Sequence, residues 1–553
     1  FLVVKMGYLV STIFVLVVVT VSGCCEPQQY QCCTSDADCC TDWGKLECSV
    51  GVCVFPGASN STSSSQAVLF LKHIDGAAEK LKAELLRRSD PDSDIFLSWL
   101  SRDEVRSILQ PNATHFETVA MAVAEHGAQL LSAQEGDDKV TVQFPGPMSP
   151  GFLKAVEPAV DWVSHSSAQS PLDVSMPLRH RVVKGEVKPV QEDAFPQSCL
   201  SSLDGVTPTC LRSAYGITGG AKKPSTARGQ AFIVNQGFHP SDIAQFQRQY
   251  KLPNQPVARI VGTNPGNAGD EASLDGQYIM TTGQYVTTTY VYLDGSMDNP
   301  FTNWLVWAAK EPDATIAKVH SLSLGAPENE VGDSIIGRMN TEMAALGLRG
   351  ITILFASGDS GYQPQQKFGA ASPFVTAVGG IWNGEMRDSV LQSDELSTGG
   401  FAASSQNKAG TWQAAAIASY MKTFGQRPAH IDTSQRAVPD LSAYDDDINI
   451  VQNGGNTALS GTSAACPMVA GMMAMINDAL AAAGHNTTLG FVNPFLYANE
   501  AAFLDITKGN NRGIQAVKGY DPISGLGTFS TTTLDQLTTA ALKALSSKKR
   551  SPQ

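Results

Sequence analysis

The stretch SGTSAACP, residues 460–467, leads directly into the small apolar residues MVAGMMAM, 468–475. A glycine loop followed by small residues predicts that a helix begins near Ser463, and Pro467 suits the start of a helix. A serine there lies beside unpaired backbone N–H groups and the positive end of the helix dipole. Because these groups can stabilise negative charge on a substrate carbonyl, the stretch predicts a nucleophilic serine. A serine-capped core helix is the alternative.

A nucleophilic serine needs a base, and the sequence offers carboxylates more readily than a histidine. None of the nine histidines lies in a His-Gly-Thr context, and the nearest imitation, His126-Gly127, is followed by Ala128. Glu271 and Asp275 are four residues apart and would share one face of a helix. Since like charges at this spacing repel each other, the pair favours a functional role, although acidic pairs are common on solvated helix faces.

A third segment, ITILFASGDSG at residues 351–361, begins as a continuous apolar run. Such a run predicts a strand buried on both faces of a parallel sheet. Asp359 follows at its carboxyl end, where open α/β sheets place their ligand sites. The letters GDSG also imitate the nucleophile motif of trypsin-like proteases. That alternative is disfavoured, because it requires an all-β fold and a histidine in a suitable context.

GTSAACP is similar to the nucleophile segment of subtilisin-like peptidases, and the three segments together resemble the sedolisin family of serine-carboxyl peptidases. Further similar strings follow in the expected order: SLSLG at 321–325, SPFVTAVGG at 372–380, STGGF at 397–401 and VPDLSA at 438–443. The resemblance implies that Glu271 takes the proton of Ser463 and that Asp275 orients Glu271. It also implies that a protonated Asp359 donates a hydrogen bond to the oxyanion.

Short β-like runs alternate with helical ones from residue 197 onward, which predicts a parallel sheet flanked by helices on both faces. The clearest predicted strands are 231–236, 258–262, 318–324 and 351–356. The fold class expected is α/β and subtilisin-like, with a sedolisin-type peptidase domain at 197–545 and a polar tail at 546–553. Residues 66–180 resemble the family's inhibitory propeptide, expected to be α+β, and 181–196 indicate a processing linker.

The N-terminal residues indicate secretion. Residues 1–23 contain an apolar run that predicts a signal peptide, with a membrane span as the alternative. Eight of the eleven cysteines crowd into residues 24–55, which predicts a disulfide-rich, knottin-like module in preference to a zinc site. The serine-rich residues 56–65 predict a flexible linker. We therefore expect passage through the secretory pathway to an extracellular, lysosomal or vacuolar destination, without a membrane span in the mature form.

Three further cysteines lie in the predicted peptidase domain. Cys199 and Cys210 match cysteines of some sedolisins, and this resemblance implies a disulfide between them. Cys466, three residues after Ser463, is expected to be structural, because a buried cysteine behaves as a small apolar side chain. Glycosylation sequons at Asn60, Asn112 and Asn486 agree with secretion.

Two segments near the C-terminus resemble the family's calcium site, DI at 505–506 and VKGYDP at 517–522. Calcium prefers six or more oxygen ligands. The resemblance implies one structural Ca²⁺ ion held by the following residues: the carboxylates of Asp505 and Asp521 and the carbonyls of Ile506, Val517 and Gly519. Two aspartates in ordinary turns are the alternative.

The net charge of −13 with only 16% charged residues argues against nucleic-acid binding. The resemblance implies an acid-active peptidase made as a zymogen, with peptides or proteins as substrates and its own propeptide as inhibitor. The strings EASLDGQYIM at 271–280 and FHPSDI at 238–243 are most similar to the tripeptidyl-peptidase branch of the family. An acid endopeptidase and an inactive homologue that binds partners through its cysteine-rich module are the two alternatives.

Overall fold

The computed structural model describes residues 47–49, 52–54, 65–132, 137–166, 172–181, 205–383, 391–424 and 431–548, which fall into two compact units. The first unit comprises Phe1–Ser64 and Pro145–Pro147. Its described part contains an antiparallel hairpin of β1 (Glu47–Ser49) and β2 (Val52–Val54). The following predictions lie outside the described residues: the signal peptide, most of the cysteine-rich module, the Ser-rich linker up to residue 64, the processing linker beyond residue 181, and Cys199. Ser65, the last residue of the predicted Ser-rich linker, begins β3.

In the second unit, residues 65–144 and 148–181 form what we name the N-terminal subdomain. Its strands are β3 (Ser65–Leu71), β4 (Gln129–Ser132), β5 (Lys139–Phe144), β6 (Val160–His165) and β7 (Arg179–Arg181). Its helices are α1 (Ala77–Ser89), α2 (Arg102–Ile108), α3 (Ala113–Glu125) and α4 (Pro150–Val156). The first four strands form one antiparallel sheet in the order β4-β5-β3-β6, and Val119, Val142 and Phe152 join its helices to its strands in a small core.

The described residues from 205 to 548 form the large subdomain. Its strands are β8 (Gln230–Val234), β9 (Arg259–Val261), β10 (Thr288–Tyr292), β11 (Val319–Leu322), β12 (Ala326–Pro327), β13 (Thr352–Ala356), β14 (Lys367–Phe368), β15 (Thr376–Trp382), β16 (Gln392–Ser393), β17 (Gly400–Phe401), β18 (Ala437–Val438), β19 (Leu441–Tyr444), β20 (Ile448–Gln452) and β21 (Gly455–Ser460). Its helices are α5 (Pro208–Ala214), α6 (Pro240–Gln249), α7 (Asp270–Thr282), α8 (Phe301–Lys310), α9 (Glu328–Val331), α10 (Asp333–Leu348), α11 (Ala414–Phe424), α12 (Thr462–Ala482), α13 (Asn493–Ala498) and α14 (Thr533–Lys548).

A mostly parallel sheet forms the centre of this subdomain. Its order is β16-β15-β13-β11-β8-β10-β9, with β19 also paired to β15, and only the β15–β16 pair is antiparallel. The four predicted strands are confirmed as β8, β9, β11 and β13, each within two residues at its ends. Every residue of β8 is buried, and Phe232 and Ile233 pack into different core clusters, so both sheet faces are covered.

Helix α12 is the core helix of the large subdomain. It is the one helix of the described residues that is long and apolar enough to cross a membrane, yet 83% of its most apolar window is buried in the protein. It packs against α7, whose Thr282 Oγ1 donates to the Met468 carbonyl at 2.8 Å. A side chain at Gly471 would clash with Thr282 and with the Ile279 carbonyl, so this glycine permits the close approach of the two helices.

Candidate active site

Ser463 is the second residue of α12, as the sequence predicted. Strand β21 delivers the chain to Gly461, whose φ of 151° lies in a region that glycine favours, and the helix begins at the next residue. Ser463 is fully buried, and its Oγ forms no hydrogen bond with the described residues. The hydroxyl is thus held at a helix N-terminus without a competing partner.

Glu271 and Asp275 lie on α7 and are both buried, which confirms their predicted shared helix. Burial and the neighbouring Asp275 raise the pKa of Glu271 well above its usual range, while the nearby Ser463 hydroxyl favours its ionised form. Burial likewise raises the pKa of Asp275, against a 2.8 Å hydrogen bond donated by Ser323 Oγ to its Oδ1. The two carboxyls therefore share a proton more readily than they carry two charges, an arrangement that suits proton transfer.

Asp359 follows β13 at the carboxyl edge of the sheet and faces the start of α12. Its Oδ1 accepts a hydrogen bond from the Thr462 backbone N–H at 2.6 Å, and its Oδ2 is buried without a partner among the described residues. Burial raises the pKa of Asp359 to about 7, although the Thr462 backbone N–H opposes the shift. Below neutral pH the carboxyl is therefore protonated and has an O–H to donate.

The described histidines take no part in this cluster. None of them hydrogen-bonds Ser463 Oγ. His126 ends α3 in the N-terminal subdomain, where its Nδ1 lies 3.1 Å from Ser149 Oγ. His320 is a buried residue of β11, its Nδ1 accepts from Trp304 Nε1 at 3.1 Å, and burial lowers its pKa to about 3. The ionisable group that the structure places beside the Ser463 hydroxyl, among the described residues, is the carboxyl of Glu271.

Known proteins with the same sequence pattern identify the family. The subtilase family model matches residues 284–494. Human tripeptidyl-peptidase 1 is 34% identical over 500 residues, which covers 81% of this chain and 87% of that protein. The sedolisin family includes this chain. The tripeptidyl-peptidase 1 of the dog is 29% identical over 497 residues with the same two coverages, 81% and 87%.

Among solved structures, a Pseudomonas sedolisin, a serine-carboxyl proteinase complexed with pseudo-iodotyrostatin, is 21% identical. The match covers 61% of this chain and 98% of that one, with a TM-score of 0.48. The identity to the two tripeptidyl-peptidase 1 proteins makes this protein a serine peptidase of the sedolisin family, similar to tripeptidyl-peptidases. Its large subdomain has the subtilisin-like α/β fold that the sequence predicted.

Two polar residues of this sedolisin site escaped the sequence argument. Ser323 donates to Asp275, and Thr462 supplies the N–H that holds Asp359. Ser323 lies just beyond β11, next to the strand that precedes Asp359, so its position at the same sheet edge was the available signal. Thr462 had no such signal, because its backbone N–H contacts Asp359 and its Oγ1 accepts from the Gly358 N–H at 3.1 Å only once the fold brings the two segments together.

The cysteines of the large subdomain behave structurally where they are described. Cys466 is a buried free thiol 3.4 Å from Ser321 Oγ, and burial raises its pKa far above the ordinary thiol value. It therefore stays protonated and unreactive. Cys210 is disulfide-bonded. Since Cys199 lies outside the described residues, its pairing with Cys210 stays a prediction.

The expected calcium ligands lie on two adjacent loops. Asp505 Oδ2 accepts from the Gly519 N–H at 2.9 Å, and Asp521 Oδ2 accepts from the Val517 N–H at 2.8 Å. The Ile506 carbonyl faces the same turn, 3.5 Å from Ser524 Oγ. Asp521 is fully buried, and no lysine or arginine of the described residues forms an ion pair with either aspartate. This uncompensated, oxygen-only donor set fits a hard divalent cation.

The two serine motifs make contrasting predictions. Replacing Ser463 with alanine should reduce peptide hydrolysis by on the order of 10⁴-fold or more, because no nucleophile then remains. Replacing Ser360, the exposed serine of GDSG, should leave the rate within about threefold of the unmodified enzyme, as surface substitutions usually do. Both rates would be measured with one fluorogenic peptide. A loss confined to Ser360→Ala would instead support the trypsin-like alternative.

Proposed function

We propose that the protein is an acid-active serine-carboxyl peptidase that releases tripeptides from the N-termini of peptides. The observation that carries this proposal is the group of buried carboxyls at the start of α12. Glu271 lies beside the Ser463 hydroxyl and near Asp275 and Asp359, and no described histidine hydrogen-bonds Ser463 Oγ. The similarity to tripeptidyl-peptidase 1 supports the tripeptide product.

The cluster suggests a role for each carboxyl. Glu271 accepts the Ser463 proton as Oγ attacks the substrate carbonyl, and returns it to the leaving amine. Asp275, itself held by Ser323, orients Glu271 and shares its proton. The protonated Asp359 donates to the oxyanion, assisted by the N-terminus of α12. Water then hydrolyses the acyl-enzyme with Glu271 again acting as the base.

Mass spectrometry of the products from a long unmodified peptide tests this function. A ladder of N-terminal tripeptides is expected, and acetylation of the substrate N-terminus should abolish it, since an exopeptidase of this kind must bind the free amine. Internal cuts that survive acetylation would identify an acid endopeptidase. A complete lack of products, with binding of other proteins, would support the inactive homologue.

Activity should be confined to the acid side of neutrality. Glu271 must be ionised, so the rate falls at low pH as the Glu271–Asp275 pair gains its second proton. Asp359 must be protonated, so the rate also falls as the pH rises through its pKa of about 7. Asp359→Asn keeps a donor that needs no proton, and its alkaline limb should move upward, whereas Asp359→Ala should lose on the order of 100-fold in rate.

The measurement is kcat/KM from pH 2.5 to 8.5 for the unmodified enzyme and both variants. Asp432→Asn, at an exposed loop position, serves as the control and should keep the unmodified profile. An optimum above neutral pH in the unmodified enzyme, or an alkaline limb that Asp359→Asn leaves in place, would contradict the proposed carboxyl roles.

The N-terminal subdomain supports synthesis as a zymogen, because its last described segment crosses the site. The Val174 carbonyl accepts from the Gly325 N–H at 2.8 Å, and Arg179 pairs with Ser460 in an antiparallel ladder between β7 and β21. Between these anchors, Leu178 packs against Gly461, two residues before Ser463. A segment held in this way excludes a substrate, and we propose that residues 66–180 act as the inhibitory propeptide.

A buried ion cluster joins this propeptide to the large subdomain. Asp138 lies 2.9 Å from His73 Nε2 and 2.7 Å from Arg338 Nη2, and Glu342 lies 2.9 Å from Arg338 and 2.7 Å from Lys139. Asp161, 3.1 Å from Arg338, completes the charged groups. Arg338 and Glu342 belong to α10, whereas the other members belong to the propeptide.

Acid should weaken this group of charged residues, which we name the interface ion cluster. Burial and Arg338 lower the pKa of His73, so the assembled state disfavours its protonation. Although burial opposes the effect, Lys139, His73 and Arg338 hold the pKa of Asp138 well below its usual range. For both His73 and Asp138, the state in which the propeptide has separated from the large subdomain binds more protons than the assembled state. The contact between propeptide and large subdomain is therefore strongest at neutral pH. It weakens as the pH falls below about 6.5 for His73 and below about 4 for Asp138.

Release of the propeptide can be followed without cleavage in full-length Ser463→Ala, which should remain unprocessed when pure. The protection of residues 172–181 against hydrogen exchange, relative to the intrinsic rate of free amides at each pH, should fall as the pH falls. His73→Gln should move the midpoint to lower pH because glutamine cannot gain a proton. His126→Gln, in the same subdomain, is the control and should not move it. An unchanged midpoint in His73→Gln would exclude His73 as the sensor.

We also propose that Asp505, Ile506, Val517, Gly519 and Asp521 hold one structural Ca²⁺ ion. The ion would compensate the two carboxylates and tie the adjacent loops together. Because it would bind the folded state, it should stabilise that state by about 2.7 kcal/mol at a hundredfold excess over its dissociation constant.

Removal of calcium should therefore lower the melting temperature. A chelator should destabilise the unmodified protein, and Asp521→Asn should melt at the lower temperature with or without chelator. Asp535→Asn, on the exposed face of α14, is the control and should retain the chelator effect. Calorimetric curves of the unmodified protein that coincide with and without chelator would contradict the calcium site.

Passage through the secretory pathway completes the proposal. The apolar N-terminal run, the cysteine-rich residues 24–55 and the sequons support it, and acidification along that route would supply the pH at which the peptidase works.

A further inference from the structure

A pocket of carboxyl groups beside the nucleophile holds the guanidinium of Arg179. Arg179 Nη2 donates to Asp394 Oδ2, and Asp394 is fully buried. Asp445 is also fully buried, and neither of its carboxyl oxygens has a hydrogen-bond partner among the described residues. Asp446 accepts from Ser460 Oγ at 2.8 Å, and Asp359 borders the same space. We name Asp394, Asp445 and Asp446 the acidic pocket.

The acidic pocket is built into the sheet edge. The Asp445 N–H donates to the Ile381 carbonyl at 3.1 Å, and its own carbonyl accepts from the Gly461 N–H at 2.9 Å. The Asp394 N–H donates to the Gly380 carbonyl at 3.2 Å. A side chain at Gly380 would overlap the Asp445 carboxyl, so this glycine provides the room for it. The carboxyls are therefore fixed before a ligand arrives.

No lysine or arginine among the described residues of the large subdomain forms an ion pair with Asp394 or Asp445. The counter-charge comes from Arg179, in the segment that crosses the site. Burial alone would lower the pKa of Arg179, but nearby carboxyls raise it above its usual range. These carboxyls belong to Asp394, Asp445, Asp446 and Asp359. Burial already raises the pKa of both Asp394 and Asp445, so without Arg179 these two carboxyls would either stay charged at a high cost or take up protons. A peptide with a cationic side chain at the same place would restore the pairing.

The position of the acidic pocket along the substrate follows from chain direction. Val174 is anchored at Gly325 and Arg179 at Ser460, and Leu178 between these anchors packs against Gly461, two residues before Ser463. A substrate that runs in the same direction, as the proposed propeptide function implies, places its residues after the scissile bond at Ser460. We propose that the acidic pocket selects peptides with arginine or lysine on the leaving side of the scissile bond.

Paired substrates test this selectivity. Two series of otherwise identical peptides carry arginine or its neutral isostere citrulline at each of the first four leaving-side positions. At one of these positions the unmodified enzyme should show a kcat/KM ratio of about 10-fold in favour of arginine, as expected for a charge-assisted hydrogen bond. Asp394→Asn and Asp445→Asn should bring that ratio towards one, while the exposed-site control Asp432→Asn should retain it.

A purely structural role for Asp394 would lower both rates and leave the ratio unchanged. Equal rates for arginine and citrulline at all four positions, or a preference that survives both pocket variants, would overturn the selectivity. Hydrolysis of the citrulline peptides reports separately on the proposed peptidase function.

A second measurement needs no activity. In full-length Ser463→Ala at neutral pH, Arg179→Gln should raise hydrogen exchange of residues 172–181 by about 10-fold, whereas Arg179→Lys should raise it far less. Asp394→Asn should act like Arg179→Gln, and the double variant should be no worse than either one, since both remove the same interaction. Unchanged exchange in Arg179→Gln would overturn the acidic pocket as a cation site. Faster exchange combined with equal peptide rates would restrict it to the precursor.

Discussion

The active site is built on the burial of several carboxyl groups near one serine hydroxyl, where burial outweighs the attraction of Arg179 for Asp359. Glu271 and Asp275 lie on α7, and Asp359 follows β13. In a low-dielectric interior these groups cannot all be ionised, so they retain protons at a pH where free carboxyls have lost them. The close packing of α7 on α12, permitted by Gly471, brings the base to the nucleophile and excludes water.

The interface ion cluster uses the same residue types with the opposite electrostatic result. There, Arg338 and Lys139 lie against Asp138 and Glu342, and the cations hold the pKa of Asp138 low. One chain thus contains buried carboxyls that keep their protons and buried carboxyls that give them up. The difference arises from neighbouring charge, since both groups are shielded from solvent. The two clusters are consequently suited to different tasks, proton transfer in one and pH-dependent adhesion in the other.

Much of the large subdomain could be predicted from the sequence, because its strands are continuous apolar runs and its helix α12 is marked by small residues. Ser463, Glu271, Asp275 and Asp359 were likewise recognisable, since each lies in a segment with its own local pattern. The acidic pocket was not. Arg179 and Asp394 are 215 residues apart, and only the sheet topology brings them together. The interface ion cluster has the same long-range origin, and the residues before 65 carry predictions that the described structure does not address.

The ladder between β7 and β21 has a consequence for the finished enzyme. While Arg179–Arg181 are in place, β21 is an interior strand, paired with β20 on one side and with β7 on the other. Departure of that segment turns β21 into an edge strand with unpaired N–H and C=O groups. An open strand edge can pair with any extended chain. Such pairing helps a peptidase to bind its substrate, but it also allows protein chains at high concentration to aggregate. In the proposed zymogen, the N-terminal subdomain would therefore also protect this strand edge from self-association until the segment leaves.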